Sequence, residues 1–90
     1  MMSITDRINK KLTEALSPTV LDVVDESAKH KGHGGWREGG ETHFHVTVVA
    51  DAFEGKSRVD RQRMVYALLA DEMAERVHAL ALTTKAPSEA

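Results

Sequence analysis

The chain has 90 residues, of which 41% are hydrophobic and 29% are charged, and these values are typical of one small globular domain. Its net charge of −2 gives no overall attraction to nucleic acid, so any such binding needs a local basic patch. It contains no cysteine, which excludes disulfides and metal centres built wholly from its own thiolates.

No part of the sequence indicates a membrane or secretion signal. No apolar run approaches the roughly 20 residues that a helix needs to cross a bilayer. Residues 1–11 lack the apolar segment of a signal peptide. We therefore expect a cytoplasmic protein that does not associate with membranes.

The first predicted element is an amphipathic helix. Ser3, followed three residues later by Asp6, is a pattern typical of a helix N-cap. Apolar residues then recur at steps of four, at Ile4, Ile8, Leu12 and Leu16. Pro18 ends the pattern, because proline cannot continue a helix.

Two strands follow, separated by a long segment. Residues 20–26 form the first predicted strand, and residues 42–49 form the second, in which apolar and polar residues alternate. Phe44, Val46 and Val48 should face the core, while His43, His45 and Thr47 should face solvent or an uncovered sheet surface. Residues 27–41 hold all but one of the six glycines, and a loop of this length is usually functional or disordered.

A long helix and a third strand complete the predicted elements. Ser57 with Asp60 indicates the helix start, and the helix should end near Arg76. Its expected apolar face consists of Val59, Val65, Leu68, Leu69, Met73 and Val77, and its expected wet side includes Arg61, Gln62, Asp71 and Glu75. Residues 79–84 have the length and composition of a strand, and residues 85–90 should form a flexible C-terminal tail.

The order of these elements, α-β-β-α-β, predicts the architecture. The first two strands should be antiparallel, and the third should run parallel to one of them after a right-handed crossover. We expect a two-layer α+β domain over residues 1–84, with a three-stranded mixed sheet and the helices on one face.

The five histidines are the only nitrogen ligands suited to a borderline metal. His30 and His33 are metal candidates in the loop, although they are equally compatible with simple loop polarity. His43 and His45 lie roughly 7 Å apart along one strand face, where solvent-facing or cross-strand polar roles are the alternative. His78 lies at the helix-to-strand junction, where histidines also serve in capping or packing.

None of these spacings matches a strong zinc signature. No Ser, Cys or carboxylate stands in a recognisable nucleophile context either. We therefore do not expect an enzyme.

The start of the long helix is unusually basic. Lys56, Arg58, Arg61 and Arg63 stand against one acid, Asp60. A solvated surface is one interpretation, since charged residues are the norm at surfaces. An anion site is the other, because helix amides, the helix dipole and arginines together suit a phosphate or carboxylate.

Several short segments, taken in order, carry a resemblance to a known family. They are Val24-Asp25-Glu26-Ser27 followed by His30, Glu41-Thr42-His43-Phe44, Phe53-Glu54-Gly55, Arg61-Gln62-Arg63-Met64-Val65-Tyr66, Leu69-Ala70-Asp71-Glu72 and Val77-His78-Ala79-Leu80-Ala81-Leu82. Across nearly its whole length the chain resembles the BolA family. The resemblance implies a class II KH-like fold and a single BolA-like domain.

The resemblance also implies a function in iron–sulfur cluster assembly or trafficking. Proteins of this family pair with monothiol glutaredoxins and share a [2Fe–2S] cluster, in which the partner's cysteine and glutathione supply sulfur. On this chain the matching histidines are His78 and His30. A glycine-rich insert, residues 32–40, departs from the family pattern and makes His33 an alternative loop ligand. The resemblance implies an adaptor that binds no cluster when isolated and is then a monomer or a weak homodimer.

The resemblance leaves a second function open, a transcriptional regulator that binds DNA. Its nucleic-acid-binding residues would be Lys56, Arg58, Arg61 and Arg63. The turn at residues 53–58 is not the GXXG clamp by which KH domains grip a nucleic-acid backbone. The acidic net charge also predicts weak, salt-sensitive binding.

Overall fold

The structure, a computed structural model, describes residues 2–30 and 40–90. Its helices and strands are α1 (Ile4–Leu16), β1 (Val20–Asp25), β2 (His43–Val49), α2 (Arg58–Leu68), α3 (Ala70–Glu75) and β3 (Ala79–Lys85). Short 3-10 helices lie at Ser27–His30, Asp51–Phe53 and Pro87–Glu89. The predicted α-β-β-α-β order is thus confirmed, with the last helix divided in two.

The sheet has the strand order β1-β2-β3. β1 pairs antiparallel with β2, and β3 pairs parallel with β2, as the connection lengths predict. The register aligns Val24, His45 and Ala81 across the three strands. Because side chains alternate along a strand, the side chains of this row lie on one face of the sheet, together with those two residues before and after them in each strand.

The core lies between the other sheet face and the helices. Ile8 and Leu12 of α1 are buried against Phe44, Val46 and Val48 of β2. The predicted N-cap is present, since Ser3 Oγ accepts a hydrogen bond of 3.0 Å from the Asp6 amide. α1 ends at Ser17, whose φ of 44° turns the chain out of the helix before Pro18.

The prediction of one uninterrupted long helix is wrong at one residue. Leu69, with φ −103° and ψ 18°, separates α2 from α3. Hydrogen bonds from the Leu69 amide to Val65 O and from the Met73 amide to Leu69 O, both 3.0 Å, nevertheless continue the helical pattern through the break. The two short helices therefore form one bent crossover from β2 to β3.

The predicted faces of this crossover need two corrections near its start. Val59 was expected on the apolar face and is 56% exposed, whereas Arg61 was expected on the wet side and is only 9% exposed. The helical period explains both, because Arg61 lies one turn before the buried Val65, while Val59 is rotated by about 120° from it. The Arg61 guanidinium lies over the Phe53 ring, 5.9 Å from its centroid.

The C-terminal residues pack on the domain. Lys85 belongs to β3, so the strand extends one residue beyond its predicted end, and Ala86 is buried at 1% exposure. Ser88 Oγ donates a 2.9 Å hydrogen bond to Glu54 Oε1. The flexibility of residues 85–90 stays a prediction, and the structure shows where these residues dock.

Candidate functional site

His78 is an exposed side chain on a fixed backbone. It lies between the end of α3 and the first residue of β3, as the sequence predicts. Its amide donates a 2.7 Å hydrogen bond to the Thr42 carbonyl, and the Ala79 amide donates to the same oxygen at 3.1 Å. Two donors on one carbonyl hold the junction in place, while the imidazole of His78 is open to solvent.

His43 lies directly beside His78. The two ring centroids are 5.5 Å apart, and the ring planes are tilted by 51°. His43 is 6% exposed, so of the two expected surroundings, solvent or an uncovered sheet surface, solvent is wrong. Its Nδ1 lies 2.8 Å from Thr42 Oγ1, and this hydrogen bond fixes the ring. The sequence did not indicate this pair.

His45 occupies the open sheet face as a cross-strand polar residue. Its Nε2 lies 3.1 Å from Thr83 Oγ1 on β3, and the side chain is partly buried. Cross-strand polar contact was one of the two roles considered for it. The structure therefore separates the two strand histidines, because His43 contacts the junction and His45 contacts a neighbouring strand.

Ser27 links the two ends of the segment that connects β1 with β2 through hydrogen bonds. Its hydroxyl donates to Asp25 Oδ1 and accepts a 2.9 Å hydrogen bond from the Thr42 amide. The second Asp25 oxygen accepts from the Glu41 amide at 3.1 Å. Ser27 is 3% exposed, and its hydrogen bond from the Thr42 amide is buried, whereas the bond between Glu41 and Asp25 is exposed. The two ends of the segment are thereby joined beneath the histidine pair.

Glu41 attaches the same segment to α1. Its carboxylate accepts hydrogen bonds from the amides of Ile4 and Thr5, at 3.3 and 3.0 Å, and from Thr5 Oγ1 at 3.1 Å. Amides at a helix N-terminus have no partner within the helix, and a carboxylate there is favourable. These bonds offset the strain of a φ of 59° at Glu41, a value that residues other than glycine rarely adopt.

A buried carboxylate fixes α3 on the other side. Glu72 is 0% exposed, with Lys11 Nζ 2.8 Å from Oε1 and Arg7 Nη2 2.6 Å from Oε2. Burial raises the pKa of Glu72, but hydrogen bonds from Lys11 and the backbone and the charges of Lys11 and Arg7 outweigh it. The net effect is a pKa below its ordinary value. Arg7 also pairs with Glu75. α1 therefore holds the helix that leads into His78.

The basic start of α2 carries three exposed cations instead of four. Lys56, Arg58 and Arg63 are exposed, and Arg63 lies 3.7 Å from Asp60. Arg61 donates from Nη1 to Glu89 Oε1 at 2.6 Å and from Nη2 to Glu89 Oε2 at 3.3 Å. This pairing lowers the pKa of Glu89. Arg61 is consequently part of the packed structure, and its charge is neutralised by the C-terminal segment.

The two loop histidines fall only partly within the described residues. His33 lies outside the described residues, and so does the side chain of His30. Within residues 2–30 and 40–90, no group of three or more His, Cys, Asp or Glu side chains is placed to hold a metal. The pair of imidazoles at His43 and His78 cannot complete a four-ligand sphere. These residues could therefore bind a metal centre only together with ligands from elsewhere, and they do not form a complete metal site by themselves.

Comparison with protein-family models matches residues 12–89 to the family described as BolA-like protein. The chain is 46% identical over 87 residues to SufE-like protein 1 of Arabidopsis thaliana, covering 92% of this chain and 24% of that protein. It is also 46% identical over 83 residues to the DNA-binding transcriptional regulator BolA of Escherichia coli, covering 92% of this chain and 75% of that protein. The chain thus spans about a quarter of the Arabidopsis relative.

The solved structures show the same fold. The BolA domain of SufE1 from Arabidopsis thaliana superimposes with a TM-score of 0.89 at 44% identity, covering 100% of this chain and 99% of that one. This match confirms the predicted class II KH-like α+β fold. No helix among the described residues is long and apolar enough to cross a membrane. The family model covers far more than half of the chain, and the structural match covers all of it: the protein belongs to the BolA family.

Proposed function

We propose that the chain is an adaptor in iron–sulfur cluster assembly or trafficking that shares a [2Fe–2S] cluster with a monothiol glutaredoxin and glutathione. One observation carries the proposal. His78 is exposed, and its backbone is held by the Thr42 carbonyl at the base of the segment that bears His30 and His33. Membership of the BolA family supports the same interpretation.

The proposed ligands from this chain are His78 and one loop histidine, His30, with His33 as the alternative. The chain has no cysteine, so the sulfur ligands must come from the partner and glutathione. When bound, the cluster supplies one-electron redox chemistry, at a potential that imidazole ligands raise relative to thiolates alone. The chain's own contribution is to orient His78, through the Thr42 carbonyl and the neighbouring His43 ring.

The test is anaerobic reconstitution of this protein with a monothiol glutaredoxin, glutathione, iron and sulfide. Visible circular dichroism distinguishes a mixed complex from the glutaredoxin homodimer, which serves as the reference. We expect a new spectrum at equimolar ratio that His78→Ala abolishes. Comparing His30→Ala with His33→Ala assigns the loop ligand. A spectrum identical to the homodimer reference would refute the proposal.

A control of the same residue type is available in this chain. His45 is bound to Thr83 on the open sheet face and is not a proposed ligand. We expect His45→Ala to leave the mixed spectrum unchanged. An equal loss in His45→Ala and His78→Ala would instead indicate a general effect of removing histidines.

A second candidate function is DNA binding, which is favoured by the similarity to the DNA-binding transcriptional regulator BolA of Escherichia coli. The exposed cations Lys56, Arg58 and Arg63 are the proposed contacts on this chain. Arg61 is not, because its guanidinium is bound to Glu89. This surface lies at the start of α2, whereas His78 follows the end of α3, so the two functions use different parts of the crossover.

The remaining proposals concern the setting of the protein. We propose a cytoplasmic protein without membrane association and without enzymatic activity, and an isolated chain that is a monomer or a weak homodimer. Size-exclusion chromatography with light scattering on the isolated chain tests the last point. A stable dimer at micromolar concentration would contradict it.

A further inference from the structure

Two stretches that are distant in the sequence meet at the candidate site. Residues 40–42 end the histidine-bearing segment, and residues 76–79 lead from α3 into β3. Thr42 O accepts from the amides of His78 and Ala79 at 2.7 and 3.1 Å. Two residues earlier in each stretch, Arg76 Nε donates a 2.7 Å hydrogen bond to Gly40 O. This last contact is made by a side chain, beyond the point where the backbone pairing ends.

The backbone explains why a side chain is needed there. Gly40 and Glu41 have φ values of 72° and 59°, so the chain turns away from the extended path of β2. Among the described residues, the backbone hydrogen bonds from the junction to this side of the sheet therefore begin at Thr42, the residue before β2. The Arg76 guanidinium extends the connection to Gly40, and a donor that carries a charge makes a stronger hydrogen bond than a neutral one.

We propose that Arg76 is a positioning residue, which holds the C-terminal end of the histidine-bearing segment at a fixed place relative to His78. The inference rests on the proposed function, since it concerns the approach of the loop ligand to the junction ligand. Arg76 is partly buried and lies two positions before His78. It is not among the residues of the hydrophobic core. Replacing it should thus alter the geometry of the site while leaving most of the packing intact.

The first measurement uses the isolated chain. The amides of Glu41 and Thr42 are bonded to Asp25 and Ser27, and they report on the order of the segment's end. In Arg76→Met we expect their hydrogen exchange to be about fivefold to tenfold faster, since the charge-assisted hydrogen bond to Gly40 O is lost. Arg76→Lys, which keeps a charged donor, should recover part of the protection. Lys10→Met, which removes an exposed charge from α1, is the matched control and should exchange like the wild type.

The second measurement uses the complex with a monothiol glutaredoxin and glutathione. Residues that orient metal ligands typically affect metal affinity by about 10-fold to 100-fold, so we expect cluster loss about tenfold faster in Arg76→Met. Arg76→Lys should be intermediate, and Lys10→Met should match the wild type. The thermal midpoint of each variant shows whether it is folded.

The outcomes separate the two proposals. Faster exchange and faster cluster loss in Arg76→Met, both reduced in Arg76→Lys, support the positioning role. Unchanged exchange in Arg76→Met overturns the positioning role. Faster exchange with an unchanged rate of cluster loss overturns it as well. In both cases the proposed function still stands, provided that the wild type forms the mixed cluster. If the wild type forms no mixed cluster, the proposed function fails and the positioning role fails with it.

Discussion

The imidazole of His43, buried beneath the surface, lies against the exposed imidazole of His78 with 5.5 Å between ring centroids. One ring is anchored by Thr42 Oγ1, and the other is open to solvent. His43 thus limits the orientations that the His78 ring can adopt. It supports the proposed ligand without being required as one.

This arrangement predicts a partial effect for His43→Ala. The variant should still form the mixed cluster with glutaredoxin, but lose it about tenfold faster, because the ring beside His78 is gone. Cluster decay followed by visible circular dichroism measures this, with His45→Ala as the control. Complete loss of the spectrum in His43→Ala would show that His43 is itself a ligand.

A second prediction concerns the buried carboxylate under α3. Glu72→Gln should lower the free energy of unfolding at pH 7 by about 1.5 to 3 kcal/mol, since the charge-assisted hydrogen bond from Lys11 weakens. Glu75→Gln is the matched control, and its effect should be much smaller because Glu75 is 56% exposed. Urea denaturation gives both values. Equal losses would contradict a special role for the buried carboxylate.

The stability that Glu72 contributes should depend on pH. The pKa of Glu72 in the folded state lies below its ordinary value of 4.5, so its stabilisation is present above pH 4.5. It is lost as the pH falls from 4.5 through the lower folded pKa. The stability difference between wild type and Glu72→Gln should therefore be constant at neutral pH and shrink in acid. A difference that stays constant down to about pH 3 would argue against this assignment.

A third prediction compares the effects on DNA binding of replacing the exposed Arg58 and Arg63 and of replacing the buried Arg61. If the chain binds DNA, replacing Arg58 and Arg63 with Gln should weaken binding and reduce the salt dependence by about 0.9 per lost phosphate contact. Arg61→Gln should leave the salt dependence unchanged and lower the thermal midpoint, because Arg61 is bound to Glu89. Fluorescence anisotropy across salt concentrations measures the slope. A slope that falls only with Arg61→Gln would reverse this assignment.

A fourth prediction compares two glycines with nearly equal φ. Gly40 and Gly55 have φ values of 72° and 73°, so alanine at either position should cost about 1 to 2 kcal/mol of stability. A Cβ at Gly40 would also lie 3.4 Å from the Asp25 carboxylate, whereas nothing lies within 4 Å at Gly55. Only Gly40→Ala should therefore speed cluster loss as well. Equal cluster loss in both variants would contradict a link between this turn and the site.

The sequence predicted the elements well because their signals are local. The N-caps at Ser3 and Ser57 are both present, and the alternation in β2 correctly placed Phe44 and Val46 in the core. The same local signals failed where tertiary contacts decide. Arg61 is buried because Glu89 neutralises it, and Glu89 is distant in the sequence. Glu72 is buried because α1 supplies two cations.

The candidate site was predicted in part for the same reason. The sequence placed His78 between a helix and a strand, and the family resemblance made it a candidate ligand, but its contact with His43 depends on strand register. In the parallel pairing of β2 with β3, His43 lies opposite Ala79, which places it next to His78. Neither the sequence of β2 nor that of β3 determines by itself the strand order or the register between them. Aligning the first residues of the two strands would have suggested the contact.

The parallel pairing of β2 with β3 also determines when the site comes into existence. Gly40 and Arg76 are 36 positions apart in the sequence, and all of the crossover lies between them. Contacts between such distant residues close large loops, which makes them slow to form during folding. A chain still lacking β3 contains all five histidines but lacks the paired junction. Under the proposed function, competence to receive a cluster would be acquired with the final strand, and a partner that binds this junction would stabilise the completed fold over any shorter intermediate.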